Sequence, residues 1–287
     1  MAQHNNQFMD VIERFKESRS VTIGATIIVL FCLLAIFAPQ LSPNNPTKAC
    51  LDDRLISPFT EFRYPLGTDH LGRCFLSRLL YGTRISLMVG ITVVSISATV
   101  GIILGVVSGY YGGLPDALIM RLVDATLAFP SIFLAVAIAG ILGQGLVSVM
   151  IALVVVDWTK YARVVRGSVL SLKEKEFIES ARSLGATDLH IMARHILPNI
   201  VAPIIVVATL GMAYVILSAA ALSFLGFGPQ PPTPEWGVML NAGRVYMRTE
   251  PHLTILPGLA IMAMVLAFNL LGDGLRDILD PKRSVIE

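Results

Sequence analysis

The chain has 287 residues, of which 54% are hydrophobic and only 15% are charged, and its formal net charge is +2. A mean hydropathy of +0.71 and so few charges exclude an ordinary soluble domain, in which about 25% of residues are charged. The small net charge gives no reason to expect a nucleic-acid partner. The composition therefore predicts an integral membrane protein.

Six apolar segments approach or exceed the length that a helix needs to cross about 30 Å of hydrocarbon. The first begins only near Val21 and is followed by Pro39 without a small-residue cleavage pattern, which indicates a retained anchor rather than a signal peptide. In the third, Pro130 is expected to kink the helix while neighbouring helices satisfy the freed backbone groups. The predicted spans are residues 21–38, 86–109, 117–140, 146–162, 200–222 and 253–271.

An even number of spans places both termini on the same side of the membrane. Most of the 22 Lys and Arg residues lie on that side, so the positive-inside rule assigns it to the cytoplasm. We therefore predict an all-α, polytopic membrane protein with six transmembrane helices and both termini cytoplasmic. Its predicted parts are a cytoplasmic tail over 1–20, a first transmembrane helix with an external loop over 21–85, a helical core over 86–275 with a cytoplasmic loop over 163–199, and a cytoplasmic tail over 276–287.

Charged residues cluster near the predicted cytoplasmic boundary. Arg121 and Asp124 are three apart, so they share a helix face and can pair. Asp157 precedes Lys160 and Arg163 in the same way. We interpret these groups as interfacial ion pairs, with a proton or ion relay as the alternative. No predicted span carries a charge at mid-depth, which argues against a proton-driven or sodium-driven carrier.

The longest polar segment of the second half, residues 173–199, is predicted to form two short helices around a break. The first helix is predicted over 174–184, and Gly185 is expected to take the left-handed conformation that ends it. Asp188 is predicted to cap the second helix, and Pro198 to separate it from the fifth span.

Both of these short helices keep an apolar stripe at helical spacing. The stripe is expected either to lie on the protein's own helices or the lipid headgroups, or to dock on another chain. Its members are Phe177, Ile178, Ala181 and Leu184 on the first helix, and Leu189, Met192 and Ile196 on the second.

No constellation for catalysis is present in the sequence: there is no nucleotide-binding Gly-Lys-Ser/Thr loop, no paired-His zinc motif and no hydrolase nucleophile motif. The chain is therefore not expected to be an enzyme or to bind a metal or cofactor itself. Cys50 and Cys74 in the external loop are candidates for a disulfide. His70 and Cys74, four apart, are more simply read as separate loop residues than as metal ligands.

The polar segment resembles the cytoplasmic signature of binding-protein-dependent ABC importer permeases, which reads Glu-Ala-Ala, three residues, Gly, nine residues, Ile-x-Leu-Pro. Two positions depart mildly, because Ser180 replaces an Ala and His195 replaces the Ile. The matching residues are Glu179, Ser180, Ala181, Gly185, His195, Ile196, Leu197 and Pro198.

Further segments resemble the peptide and nickel branch of these permeases, over about residues 20–283. They are residues 66–73, 128–130, 222–226, 232–237 and 269–273. One departure is Cys74, where this branch usually carries Asp after Gly-Arg.

The resemblance implies the permease subunit of an ATP-driven importer in a prokaryotic inner or plasma membrane. The polar segment would be a coupling helix on one of two cytoplasmic ATPase subunits, which use the ATP and Mg, and a second homologous permease chain would complete the pore. The implied coupling residues are Glu179, Ser180, Ala181, Gly185, Ala186, Asp188, Leu189, Leu197 and Pro198.

The same resemblance assigns the external loops, residues 39–84 and 225–252, to an extracytoplasmic substrate-binding protein. The candidate docking residues are Asp69, Arg73, Glu235 and Trp236. We favour di- or oligopeptides as the substrate, with nickel, as the ion or a chelate, as the alternative. A stand-alone secondary carrier or channel and a membrane enzyme are the other classes left open.

Overall fold

The computed structural model describes residues 18–279, and every regular element in that range is helical. Most of the predicted N-terminal tail and of the C-terminal tail therefore lies outside the described residues. The helices are α1 (Arg19–Ile36), α2 (Ala38–Leu41), α3 (Phe75–Tyr111), α4 (Gly113–Leu127), α5 (Ser131–Leu142), α6 (Leu146–Lys173), α7 (Glu176–Ser183), α8 (Asp188–Phe224), α9 (Trp236–Gly243) and α10 (His252–Leu279), with 3₁₀ turns at Leu51–Asp53 and Arg244–Tyr246.

The prediction of an all-helical membrane protein is confirmed. Four helices between residues 18 and 279 are long and apolar enough to cross a membrane, namely α1, α3, α8 and α10, and the bent pair α4–α5 would make a fifth. Helix α6 is not among them although it has 28 residues, because Asp157, Lys160 and Arg163 interrupt its apolar stretch.

The third predicted span is not a kinked helix but two helices at 90° to each other. The chain leaves the helical path between α4 and α5, and Pro130 becomes the N-cap residue of α5, where its carbonyl accepts from the backbone N–H of Leu134 at 3.2 Å. Because proline has no N–H and clashes with the preceding turn, it starts a new helix here instead of bending the old one.

Helices α3 and α6 are longer than predicted, and so is α10, which ends at Leu279 rather than near Leu271. Helix α3 begins at Phe75 rather than at Ser86, and α6 ends at Lys173 rather than near Ala162. Charged residues at the edge of an apolar segment do not end the helix, because the backbone hydrogen bonds of a helix do not depend on the polarity of its side chains. As a consequence, Lys160 lies in the middle of α6 and not near the end of a span.

Helix α8 is also longer, since Pro198 does not separate two helices. The chain is helical from Asp188 to Phe224, with a π-helical turn at Ile191–Ile196. In this wider turn the N–H of Leu197 donates to the carbonyl of Met192. A π turn before Pro198 makes room for the proline ring. It also changes the hydrogen-bond pattern at the point where proline has no N–H to donate, so the proline is tolerated inside a continuous helix.

Small residues let α3 and α6 approach closely. Gly101, Gly105 and Gly109 lie one turn apart on α3, and a Cβ at any of them would meet α6 within 3.0 Å. Close helix contact through small residues is typical of membrane proteins, where dispersion contacts replace the hydrophobic effect between helices. These three glycines therefore fix the spacing of the two helices in the last third of α3.

We expect Gly105→Ala to destabilise the protein by about 1–3 kcal/mol, as overpacking does. The new Cβ would lie 2.6 Å from the carbonyl oxygen of Ala162 and 2.8 Å from the Cβ of Val165. The matched control is Gly167→Ala on α6, where a Cβ meets nothing within 4 Å and helix propensity improves by up to about 1 kcal/mol. Apparent melting temperatures in detergent check the pair, and equal values would contradict the close packing.

The bundle has two ends. At one end, called the loop end, the loops over 37–74 and 225–251 meet the start of α6, and the N–H of Gly145 donates to the carbonyl of Phe227 at 3.0 Å. At the other end α3 and α6 finish, and Lys173 donates to the carbonyl of Gly109 at 3.2 Å. This second end carries residues 173–199, which we call the polar hairpin.

Candidate functional site

The inner face of the polar hairpin packs on the ends of α3 and α6. Ile178 of α7 is buried with Ile191, Met192, Ile196 and Ile200 of α8. Their partners from the bundle are Val106, Tyr110, Val165 and Val169. Part of the apolar stripe thus rests on the protein's own helices, as one of the two alternatives from the sequence proposed.

The break between α7 and α8 is a Schellman turn. Gly185 has φ +84°, its N–H donates to the carbonyl of Arg182 at 3.0 Å, and the N–H of Ala186 donates to that of Ala181 at 3.1 Å. This pair of bonds with glycine in the left-handed region defines the motif. The predicted role of Gly185 as a helix terminator is confirmed.

The prediction that Asp188 caps α8 is wrong. Thr187 is the N-cap residue, and its hydroxyl accepts from the N–H of His190. Asp188 instead accepts a hydrogen bond from the Tyr110 hydroxyl at 2.6 Å, and Arg182 donates to the same hydroxyl at 3.4 Å. Tyr110 therefore joins both helices of the hairpin to α3, a contact over 78 positions that local sequence patterns do not reveal.

The outer face of the polar hairpin exposes the remainder of the stripe. Leu184 is 89% exposed, Leu189 is 74% exposed and Phe177 is 43% exposed. Of the predicted coupling residues, Glu179, Ser180, Gly185, Asp188, Leu189 and Pro198 are exposed, and Ala181, Ala186 and Leu197 are half-buried. The hairpin thus presents a surface of apolar and charged residues away from the bundle.

Two ion pairs fasten α4 to α6 beside the polar hairpin. Arg166 donates to both carboxylate oxygens of Asp116, at 2.6 and 2.7 Å, and Ser108 of α3 also donates to that carboxylate. Arg163 donates to Asp124 at 2.8 Å. The predicted pair of Arg121 with Asp124 is therefore wrong, because the side chain of Asp124 is turned towards α6 instead of along its own helix.

At the loop end, Asp69 organises the external loop. Its Oδ1 accepts from the N–H groups of Leu71 and Arg73, at 2.9 and 3.0 Å, and its Oδ2 accepts from Arg73 Nε at 2.7 Å. Arg78 Nε lies 3.4 Å from the same oxygen. All three charged side chains are buried, so two guanidinium groups share one carboxylate inside the protein.

Arg78 also joins the two external loops. Its Nη1 donates to the carbonyl of Pro46 at 3.0 Å and to the carbonyl of Pro232 at 3.1 Å. The ring of His70 stacks on Tyr246 at a centroid distance of 5.9 Å, and burial lowers the pKa of His70. The loops over 37–74 and 225–251 are therefore one connected structure.

Trp236 and Glu235 are buried as well, at the start of α9. Trp236 Nε1 donates to the carbonyl of Leu79 at 3.0 Å. Glu235 accepts from the N–H groups of Gly237 and Val238, at 3.0 and 2.9 Å, and burial raises the pKa of its carboxyl. Glu235 is thus the N-cap of α9.

The four candidate docking residues, Asp69, Arg73, Glu235 and Trp236, are all buried, and their role in docking stays a prediction. Each of the four is at most 5% exposed, so its side chain has almost no surface to offer a partner in this structure. The family resemblance assigned them to docking, and their contacts show that they also hold the external loops together from within. Docking on the loops themselves stays a prediction.

The cysteines and the histidine of the external loop form no joint site. Cys50 and Cys74 are both free thiols. Among the described residues no cluster of three His, Cys, Asp or Glu side chains is suited to a metal ion. Cys74 is the N-cap residue of α3 and makes no side-chain cap hydrogen bond.

We expect Cys74→Ser to be more stable than Cys74→Ala by about 1 kcal/mol, because a serine hydroxyl accepts from the free N–H groups of the first helical turn and a methyl group does not. Thermal unfolding of both variants in the same detergent checks this. Equal stability would show that the start of α3 has no need of a side-chain cap.

The comparisons with known proteins agree with one another. A family model for the binding-protein-dependent transport system inner membrane component matches residues 101–285. A second model, for the N-terminal TM domain of oligopeptide transport permease C, matches residues 6–58. Together the two models cover the spans on both sides of the external loop.

Two relatives are similar over nearly the whole chain. The dipeptide transport system permease protein DppC of Alkalihalophilus pseudofirmus is 45% identical over 273 residues, which are 95% of this chain and 89% of the relative. The glutathione transport system permease protein GsiD of Escherichia coli is 47% identical over 269 residues, which are 94% of this chain and 88% of the relative.

Two solved structures share the fold. The MetNI methionine ABC transporter, in inward facing conformations, aligns with a TM-score of 0.58 at 18% identity, over 71% of this chain and 97% of that chain. An amino acid ABC transporter crystallised with histidines aligns with a TM-score of 0.54 at 15% identity, over 69% and 92%. At these identities the likeness concerns the fold alone.

Proposed function

The chain belongs to the family of binding-protein-dependent transport system inner membrane components, and on that basis we propose how its parts work in an importer of peptides. As a permease subunit of an ABC importer it lies in the bacterial inner membrane. We propose that it crosses the membrane six times, with α4–α5 and α6 as the third and fourth crossings. The polar hairpin and both termini then lie in the cytoplasm.

The proposed substrates are di- and oligopeptides, including small thiol peptides of the glutathione type. This is supported by the relatives that cover most of the chain, whose names assign one to dipeptides and the other to glutathione. Nickel, as the ion or a chelate, is the second candidate, and it is retained only because the sequence motifs of the two importer groups coincide.

The polar hairpin is the proposed docking element for a cytoplasmic ATPase subunit. The observation that carries this proposal is its outer face, where Leu184 and Leu189 are 89% and 74% exposed although the inner face is closely packed. Isolated exposed apolar residues are common, but these two leucines flank a single turn at the end of the bundle, where a cytoplasmic partner would approach.

Coupling also requires the hairpin to pass movement on to the spans. The Tyr110 contacts to Asp188 and Arg182 connect it to α3, and α8 continues from it without a break. An ATPase that binds the hairpin differently before and after closing on ATP would shift the helices between two arrangements. The proposed assembly has a second permease chain, two ATPases that use ATP and Mg, and an external substrate-binding protein.

Gentle detergent extraction of the tagged chain, followed by mass spectrometry, tests the assembly. We expect ATPase subunits and a second permease to be recovered with it. The accompanying binding protein is then titrated with a dipeptide, glutathione and nickel to separate the substrates. Recovery of this chain alone in every detergent would reject the assembly, and binding of nickel but neither peptide would reject the substrate.

A further inference from the structure

A polar cluster of three residues lies in the middle of the bundle, where α6 faces α8. Lys160 Nζ donates to Asp157 Oδ1 at 2.7 Å, and it lies 3.4 Å from the centroid of the Tyr214 ring. The Asp157 side chain is 4% exposed and that of Lys160 is 37% exposed. The carboxylate is therefore enclosed, whereas the ammonium group reaches a surface that the described part of the chain leaves open.

Lys160 lies deep along its helix. At 1.5 Å per residue it is about 21 Å from the start of α6 at Leu146, and about 20 Å from the end at Lys173. The start of α6 is at the loop end, so this level falls within about 30 Å of hydrocarbon if α6 is a span. A lysine that faces acyl chains within the hydrocarbon is energetically unfavourable, which favours water or protein in front of it.

The face of α6 that carries Lys160 changes character at this residue. Towards the loop end, Val149 and Leu153 on the same face are 0% and 2% exposed. Towards the hairpin end, the positions at helical spacing are Gly167 and Ser171, which are exposed and small or polar. Lys160 therefore stands where a closed apolar contact gives way to an open polar surface.

The contacts of the ammonium group leave hydrogen-bonding capacity unused. It has three N–H donors, of which one is directed to Asp157 and a second is covered by the Tyr214 ring. At least one donor remains for an acceptor from outside this chain. Because Asp157 offsets the charge of Lys160, such an acceptor would be held weakly, as a conduction path requires for release.

We propose that Lys160 lines the translocation pathway and donates a hydrogen bond to the carboxylate of a passing peptide, with Asp157 and Tyr214 as its positioning residues. This rests on the proposed function, since it takes peptides as the substrate. A carboxylate is present on every peptide with a free C-terminus and is the strongest acceptor that such a substrate offers. The alternative, that Lys160 only neutralises Asp157, is separated by the test.

The test uses the complete complex in proteoliposomes with its binding protein and labelled dialanine or glutathione, whichever the wild type imports. We expect Lys160→Met to lower the import rate about tenfold or more, the loss typical of one hydrogen bond to a charged group. The double variant Asp157→Asn with Lys160→Met should be equally slow. Lys282→Met, at a lysine of the predicted cytoplasmic tail, is the matched control and should import at the wild-type rate.

If the double variant imports at the wild-type rate, Lys160 serves only to neutralise Asp157 and the proposal is overturned. The same holds if Lys160→Met alone imports normally. Failure of the wild type to import either peptide would instead count against the proposed function. Recovery of the partner chains with each variant shows that a slow rate is not a loss of assembly.

A second measurement separates the charge from the shape of the side chain. Lys160→Cys is made with the other three cysteines replaced by serine, and it is treated with a methanethiosulfonate that adds either an ethylammonium or an ethylsulfonate group. We expect the cationic reagent to restore import and the anionic reagent to leave it low. Restoration by both reagents or by neither would overturn the role of the positive charge in the pathway.

Discussion

Replacement of Gly185 by proline should abolish ATP-driven uptake while the chain remains in the membrane. Proline holds φ near −65°, whereas Gly185 has φ +84°, and proline also lacks the N–H that donates to Arg182. The Schellman turn cannot form, so the outer face of the polar hairpin with Leu184 and Leu189 loses its arrangement. The spans are untouched, and insertion is therefore expected to be normal.

The matched control for this prediction is Gly185→Asn. Asparagine enters the left-handed region far more readily than other side chains, and a Cβ at Gly185 meets nothing within 4 Å. We expect this variant to retain most of the uptake. Membrane fractions, uptake of labelled peptide and ATPase recovery are measured for both variants. Wild-type uptake by Gly185→Pro would show that the turn has no part in coupling.

Asp69→Ala should destabilise the protein by about 3–5 kcal/mol, the cost typical of removing one partner from a buried ion pair. The substitution leaves the guanidinium groups of Arg73 and Arg78 buried without their carboxylate. It also removes the acceptor for the N–H groups of Leu71 and Arg73. We expect little folded protein and a large fall in the apparent melting temperature.

Asp52→Ala is the control for the Asp69 substitution. Asp52 belongs to the same external loop but is exposed, and surface substitutions of this kind usually change stability by no more than about 0.5 kcal/mol. Size-exclusion profiles and thermal unfolding in detergent compare the two. If Asp69→Ala were as stable as Asp52→Ala, the two arginines would have another source of compensation.

Local sequence patterns were sufficient for the break in the polar hairpin at Gly185, though not for the N-cap or for the path through Pro198. The break at Gly185 depends only on the residues around it, because a Schellman turn is made within one helix end. Composition and length were sufficient for the four apolar helices α1, α3, α8 and α10. The resemblance to importer permeases was recognisable for the same reason, since its residues stand at fixed spacings in one segment.

Features that depend on distant residues were not predictable in this way. The division of the apolar stripe into a buried and an exposed face is set by Tyr110 and Val106 of α3, which are far from the hairpin in the sequence. The burial of Trp236 likewise depends on a carbonyl 157 positions away. The predicted end of α6 rested on side-chain polarity alone and came too early. The prediction therefore placed Lys160 near the end of a span, whereas it lies in the middle of the helix.

ATP-dependent accumulation of a labelled peptide in proteoliposomes tests the central claim most directly. The complex recovered with this chain is reconstituted, its binding protein is supplied on the external side, and ATP with Mg is enclosed with the ATPase subunits. We predict accumulation that requires ATP and is lost in Gly185→Pro. Accumulation that is driven by a proton or sodium gradient without ATP would contradict the account and return the chain to the carrier class.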